Sequence, residues 1–414
     1  MLLYCITGGK MRTKFILIAL TIVILIPVTI NAISEAAVIY LLIEPGSRAG
    51  SMGQAYVAQA DDAFAAYWNP GALAFNRKTQ FATHYSNWLG EVFNDIYYFH
   101  ATGNQYYEDI GNLGFNATFM SYGKQDRTNE LNQPDGTFSS YDISASVVYG
   151  YQTSPKTGLG IAFKFIYSDL APQGQANTEQ DVSGQGISYA FDFGVKHKGV
   201  DFGQILVSPY NGMLYLYNGI ADLGGFSGIG YSDYSIAVDK LDFGLNLQNV
   251  GPNITYINES QSDPLPMNWR MGFSYRALES KWNKLTINAD MNKLLANGDP
   301  IYQRIFTAWT DDFNRKTDEN GEKIDDFASI QNFTNSIEIR EIIWGIGMEY
   351  VYLDLLSLRT GYFADREGEI TGMSFGMGVH YTLNKQYLIS VDYAFQPGGD
   401  LQDYNQTLAI KLEF

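Results

Sequence analysis

From about residue 79 to the last residue, apolar and polar positions alternate with a period of two. This is the pattern of strands with one apolar and one polar face. Tyr141, Ile143, Ala145, Val147 and Tyr149 alternate with Asp142, Ser144, Ser146 and Gly150. Ile187, Tyr189, Phe191, Phe193 and Val195 alternate with Ser188, Asp192 and Lys196. Leu241, Phe243, Leu245 and Leu247 oppose Asp242, Asn246 and Gln248, and Met267, Trp269, Met271, Phe273 and Tyr275 oppose Asn268, Arg270, Ser274 and Arg276. The alternation predicts about fourteen strands, near 79–87, 92–102, 111–121, 140–153, 157–169, 184–198, 240–250, 267–277, 283–293, 341–352, 355–364, 370–382, 386–396 and 404–414.

A soluble sandwich alternates too. Three features select a membrane barrel instead. Tyr and Trp gather at the apolar strand ends, as at the two membrane–water interfaces. Strands recur to the end of the chain, where Tyr404, Leu408, Ile410, Leu412 and Phe414 share a face; an ending in Phe resembles the assembly signal of bacterial outer-membrane barrels. Connections alternate between expected outer loops (88–91, 122–139, 170–183, 251–266, 294–340, 365–369, 397–403), several of them long, and periplasmic turns that include the short 153–156, 278–282 and 383–385, as in outer-membrane barrels. The expected fold is all-β: a transmembrane antiparallel β-barrel over residues 79–414. Residues 199–239 break the parity; they are apolar and carry Gly224, Gly225, Gly228 and Gly230, and are expected to hold an extra strand pair or a packed periplasmic element.

Composition agrees. Only 17% of the 414 residues are charged, against about 25% in ordinary soluble domains. There are 30 Tyr, 25 Phe and 6 Trp. A net charge of -17 repels phosphate backbones, so no nucleic-acid partner is expected. The single Cys5 excludes a disulfide framework within the chain. Lys10, Arg12 and Lys14 precede an apolar run from Phe15 to Ile30, interrupted by Pro27. The run is too short to span a bilayer and suits a secretory signal peptide over 1–36, cleaved after Ala32 or Ala36. Met11 opens a more typical leader than Met1, which marks residues 1–10 as a candidate upstream start artefact. The expected destination is the bacterial outer membrane, with lipid as one partner.

Residues 37–78 differ in kind. Gly46, Gly50 and Gly53 bracket Arg48 and Met52, and Ala, Asp and aromatic residues then run at helix-like spacing into Asn69-Pro70-Gly71. Such small residues suit a helix and loop folded inside the barrel as a hatch, where backbone must approach the wall closely. Within it, Arg48 or Asp61 and Asp62 are expected to pair with inward charges such as Arg270 or Asp242, because an ion in a partly desolvated lumen needs a partner.

The run Glu44-Pro45-Gly46-Ser47-Arg48-Ala49-Gly50-Ser51-Met52-Gly53, then Ala55-Tyr56-Val57-Ala58, Asp61-Asp62 and Tyr67-Trp68-Asn69-Pro70-Gly71-Ala72-Leu73, resembles the N-terminal signature of the PorV/PorQ family. Leu265-Pro266-Met267-Asn268-Trp269-Arg270-Met271-Gly272 is similar to a strand entry of that family. The order Asn-Pro-Gly-Ala-Leu departs from the family's more usual Asn-Pro-Ala-Gly-Leu. The resemblance implies a fourteen-stranded barrel with an N-terminal hatch in the FadL-like superfamily. It implies a component of type IX secretion that binds cargo through C-terminal signal domains and shuttles it to surface attachment machinery, alongside other components of that system. The hatch motif residues it marks are Arg48, Gly50, Met52, Gly53, Asp61, Asp62, Asn69 and Pro70. The alternative is a FadL-like transporter of small hydrophobic molecules. The polar lumen and the long loop favour the shuttle.

No catalytic residue, cofactor or metal site is expected. His84, His100, His197 and His380 show no HExxH-type spacing. Asp318, Asn320, Glu322, Asp325 and Asp326 are acidic enough for Ca²⁺, but their Gly321 sits at the wrong position for an EF-hand. Loop 294–340 opens Asp299-Pro300-Ile301, a helix start. It offers two candidate faces, Ile301, Ile305 and Ala308 or Tyr302, Phe306 and Trp309. Tyr302, Phe306, Trp309 and Phe313 are the candidate partner-binding residues, being of types favoured at binding hot spots.

Overall fold

Alternating side chains close into a ring when each strand finds its chain neighbours. A computed structural model of the chain describes residues 36–88, 90, 93–129, 131–171, 184–201, 237–256, 262–309, 340–384, 386–399 and 402–414. Fourteen antiparallel strands form one closed barrel. They are β1 (Gln80–Ser86), β2 (Ile96–Tyr107), β3 (Gly111–Thr128), β4 (Pro134–Gln152), β5 (Thr157–Asp169), β6 (Gln185–His197), β7 (Leu241–Val250), β8 (Asn268–Glu279), β9 (Asn283–Leu294), β10 (Ile343–Tyr352), β11 (Leu356–Asp365), β12 (Ile370–Leu383), β13 (Tyr387–Pro397) and β14 (Tyr404–Glu413). Closure joins β1 to β14, from Gln80 opposite Glu413 to Ser86 opposite Thr407. Thr79 and Phe414 exchange backbone hydrogen bonds at 3.0 Å just beyond it. Without closure the edge would leave backbone groups unpaired in hydrocarbon, at several kcal/mol each.

The two faces of the wall separate cleanly. Tyr85, Tyr97, Phe119, Tyr141 and Tyr167 form an outward row across β1–β5, each ring 5.8–6.2 Å from the next. Phe414 also points outward, 47% exposed, with Phe81 and Tyr387 each 6.1 Å away. Inward positions such as Asp142, Lys164, Asp192, Lys196, Asn246 and Arg270 are buried. Among the described residues no helix is long and apolar enough to cross a membrane; strands do the crossing.

The rim opposite Phe414, called the far rim below, departs from expectation in three places. Segment 122–139, expected as a loop, is mostly a continuation of β3 and β4, with only 129–133 between them. A bulge past Ser121 restarts the ladder at Lys124 opposite Ser139, and the Asp95 carboxylate accepts the Lys124 N–H at 2.8 Å. Loop 251–266 carries a two-residue ladder, Ile254–Thr255 with Ser262–Asp263. At Asn249 (φ 59°) β7 leaves the wall, and its pairing with β6 stops at Phe191. Asn249 is held there by Asp192, which accepts its N–H at 2.7 Å, and by Lys164 at 2.5 Å.

At the other end, the expected 199–239 element shows one short ladder, Val200 with Val238 and Asp201 with Ala237; its middle lies outside the described residues. The expected signal peptide lies outside them too, apart from Ala36.

Inside the barrel the chain runs from a 3-10 turn at Ile39–Leu42 through three single-turn helices, α1 (Ser47–Gly50), α2 (Ala65–Trp68) and α3 (Pro70–Leu73). Wall glycines admit it. A Cβ on Gly160 would come 2.1 Å from the Pro70 carbonyl carbon, and one on Gly361 would come 2.2 Å from that of Met52. Both distances are far inside van der Waals contact. The inward glycines of the polar strand faces are thus an imprint of the hatch.

Candidate functional site

The lumen holds two arrangements that bear on function: an ionic lock on the hatch, and a cavity between the hatch and the far rim.

The lock is centred on Arg48, which α1 aims at the wall. Its Nε and Nη2 donate to Glu349 Oε1 and Oε2 of β10 at 2.8 and 2.6 Å. A planar guanidinium on a carboxylate is the strongest of the common ion-pair geometries. Nη1 turns back to the hatch, to Asp61 at 2.5 Å, Tyr56 at 3.0 Å and Asp62 at 3.4 Å. Glu349 also accepts from Arg359 Nε at 2.7 Å and from Gln59 at 2.8 Å, and Arg359 reaches Asp392 at 2.6 Å. Burial alone would lower the Arg48 pKa, but Asp61 and Glu349 outweigh it and hold the guanidinium well above its ordinary value. Tyr56 is pushed up by burial. Every charge in the group has an opposite partner, which is the condition for burying ions such as Glu349 and Arg359, while Asp61 stays about half exposed.

Wall amides and carboxylates hold the hatch backbone. Asp290 accepts the N–H groups of Tyr56 and Val57 at 2.7 and 2.8 Å. Asn246 donates to the Trp68 carbonyl at 2.8 Å, Gln248 to Tyr67 at 2.9 Å, and Asn116 to Ala66 at 3.0 Å. Asn69 caps α3, its Oδ1 accepting the Gly71 N–H at 2.9 Å. Its Nδ2 joins hatch to wall through the carbonyls of Val57 and Val195, both at 2.9 Å. The tertiary structure thus brings ion pairs and backbone hydrogen bonds to the same hatch.

The motif residues divide by task. Arg48, Asp61 and Asp62 are the lock, and Lys411 lies 3.8 Å from Asp62. Met52 is fully buried, while Gly50 and Gly53 pass where a Cβ would meet Gln396 or the Tyr362 carbonyl. Pro70 sits at the first turn of α3.

The wall partners expected for the hatch ions are not the ones found. Arg270 pairs with Glu44 and lies 4.4 Å from the Trp68 ring centroid. Asp242 pairs with Arg276 at 2.7 Å. Both expected residues face inward, but strand register sets them at other heights and places Glu349 opposite Arg48. Glu349, Arg359, Asp392 and Asp290 were not singled out from the sequence. Their signal was a charge on the polar face of a strand, which marks an inward ion without naming its partner.

At the far rim α4 (Ile301–Thr307) forms near the expected start. Asp299 gives no side-chain cap; its carbonyl instead accepts from Arg304 Nε at 2.6 Å. Ile305, Ala308 and Trp309 pack with Leu247, Met267, Trp269 and Leu295, and the rings of Trp309 and Trp269 meet edge to face at 5.2 Å. Tyr302 and Phe306 stay 61% and 69% exposed. Trp309 therefore does not share their outward face: one helical turn puts Ile305 and Trp309 on the wall side. Phe313 and the acidic run 318–326 lie outside the described residues.

The cavity lies above the hatch, with a volume of about 480 Å³. Ile39, Leu42, Trp88, Met120, Leu294 and Phe363 give it an apolar wall. His84 lines it; the other three histidines hold hydroxyls, His100 that of Thr118 at 2.9 Å, His197 that of Thr157 at 3.0 Å, and His380 those of Ser357 and Ser390 at 2.7 and 2.9 Å.

Solved structures with a similar outline include the Ralstonia pickettii toluene transporter TbuX, at 11% identity over 90% of this chain and 98% of that one, with a TM-score of 0.47. The P. putida toluene transporter TodX is similar at 10% identity over 90% and 97%, with a TM-score of 0.45. A Pseudomonas aeruginosa FadL homologue is similar at 11% identity over 89% and 98%, with a TM-score of 0.38. Among curated proteins none matches the sequence. The family model described as type IX secretion system protein PorV matches residues 29–202 and 220–301. That match covers the hatch and the first nine of the fourteen strands, so the chain belongs to the PorV family of type IX secretion system proteins and is a β-barrel of the bacterial outer membrane.

Proposed function

We propose that this barrel binds secreted cargo through the cargo's C-terminal signal domain and delivers it to the attachment machinery at the cell surface. In this reading it works on its far rim, which faces outward, while its lumen stays shut. The observation that carries the reading is the Arg48–Glu349 lock, reinforced by Arg359 and Asp392. A conduit needs a hatch that moves, whereas a docking platform needs one that does not. Tyr302 and Phe306, exposed on α4 beside the long loop, supply aromatic anchors of the kind that dominate protein interfaces.

The test separates rim from lumen. Ser47 Oγ and Thr407 Oγ1 lie 2.9 Å apart across hatch and wall. A Ser47→Cys, Thr407→Cys crosslink should leave cargo attachment normal, and deletion of 299–336 with a short linker should abolish it. Loss of attachment on crosslinking, with the barrel still folded, would overturn the reading.

A second reading is favoured by the cavity. An apolar pocket next to a hatch suits a transporter of small hydrophobic molecules. In that case the crosslink should stop uptake of a small apolar probe into proteoliposomes, and cargo attachment should be indifferent to deletion of the loop.

A further inference from the structure

The cavity carries chemistry that the hatch lock does not use. Its volume of about 480 Å³ suits one small ligand. Leu294 points inward and still keeps 36% exposure, so apolar surface faces the space instead of a neighbour.

Polar atoms gather where the N-terminal arm crosses the lining. His84 Nδ1 accepts the Gly46 N–H at 3.2 Å. A neutral ring in that tautomer carries its proton on Nε2, and Nε2 makes no hydrogen bond among the described residues. Glu44, two residues before Gly46, gives one oxygen to Arg270; its Oε2 has no partner, and neither has Oε1 of Gln402. Both side chains line the cavity and are more than nine-tenths buried.

Charge then decides the class of ligand. The lining contains Glu44 and Asp365 but no Lys or Arg. A carboxylate head would enter a poorly solvated site with no cation in its lining and beside the Asp365 carboxylate. An ammonium head would find Glu44 already neutralised by Arg270, and Asp365 already accepting the Gly368 N–H at 2.8 Å. A hydroxyl both donates and accepts, so it serves an acceptor such as Glu44 Oε2 and a donor such as His84 Nε2–H at once.

We propose that this cavity binds an uncharged amphiphile, an alkyl chain or ring with a hydroxyl head, and rejects the same chain ending in a carboxylate. The proposal rests on the second reading only in that the cavity holds a small apolar molecule; it requires no passage through the barrel.

The test uses the full-length protein in lipid nanodiscs, free of detergents that would compete. Trp88 lines the cavity and reports on it through quenching by 12-bromododecan-1-ol or 12-bromododecanoate at pH 8. Trp88→Phe and empty nanodiscs subtract the other tryptophans and bulk partitioning. The expected result is saturable quenching by the alcohol, with the carboxylate at least tenfold weaker. Leu294→Trp, filling the space, should remove saturation, and Asp365→Lys should recover carboxylate binding several-fold; heat-modifiable mobility checks that each variant is folded. Equal binding, or preference for the carboxylate, would overturn the proposal alone. No saturable binding of either probe would overturn it together with the transport reading. Alcohol binding without flux into proteoliposomes would sustain the proposal and remove only transport.

Discussion

Arg48 on the hatch and Glu349 on β10 meet through two near-parallel hydrogen bonds, of 2.8 and 2.6 Å, although 301 residues separate them in the chain. The pair ties the hatch to a strand in the C-terminal half of the barrel wall. Removing one member leaves the other only partly compensated, Glu349 by Arg359 or Arg48 by Asp61, so the loss falls below the about 3–5 kcal/mol of breaking an isolated buried pair. Arg48→Ala and Glu349→Ala should each lower the unfolding temperature markedly, and Arg48→Lys should fall between them and the parent because an ammonium cannot fork. Melting followed by heat-modifiable mobility measures this. An Arg48→Lys variant as stable as the parent would show that the fork geometry contributes nothing.

Release of the hatch should also be visible electrically. In planar bilayers the parent barrel is expected to be silent, whereas Arg48→Ala should show intermittent conductance as the hatch loosens. A silent variant would mean that the amide contacts from Asn116, Asn246 and Gln248 hold the hatch alone.

Asn69 satisfies three backbone groups with one side chain. Asn69→Ala leaves buried donors and acceptors unpaired at about 1–3 kcal/mol each. Asn69→Asp keeps the Gly71 bond but loses both donations to carbonyls. Both variants should be destabilised by thermal unfolding, and an Asp variant as stable as the parent would contradict the assignment of the amide nitrogen.

The imprint on the wall can be tested at Gly160. A methyl group there overlaps the Pro70 carbonyl carbon, and backbone cannot give way as a flexible side chain does. Gly160→Ala should displace α3 and increase protease cleavage within 37–78, while Gly372→Ala, whose Cβ would meet only the Pro397 side chain, at 3.1 Å, serves as a control. Identical cleavage of the two variants would refute the close fit.

Deletion of Phe414 removes an outward ring stacked on Phe81 and the backbone pair with Thr79. Outer-membrane yield of the assembled barrel should fall. Unchanged yield and unchanged heat-modifiable mobility would show that closure from Gln80 to Ser86 is sufficient.

Much of the fold is legible locally, because a strand's alternation is a property of neighbouring residues. The fourteen strands, the outward aromatics and the inward Lys196, Asn246 and Arg270 all follow from period two. The small residues of the hatch announced close approach, whereas the cap that Asn69 gives α3 emerged only in the structure. The extension of β3 and β4 beyond the expected loop was not legible. Its residues are polar on both faces, and only pairing past the bulge at Ser121 makes them strands.

The partners of the ions were decided by tertiary structure. Glu349 meets Arg48, and Arg270 meets Glu44, because barrel closure and strand register fix the height at which each inward side chain stands. Likewise either apolar face of α4 was possible until Trp309 found Trp269 on the wall. The sequence by itself determined which residues face in and which face out, since that depends on one bond's alternation to the next. Which inward residue meets which depends on closing a ring of fourteen strands, a sum over the whole chain that no local segment contains.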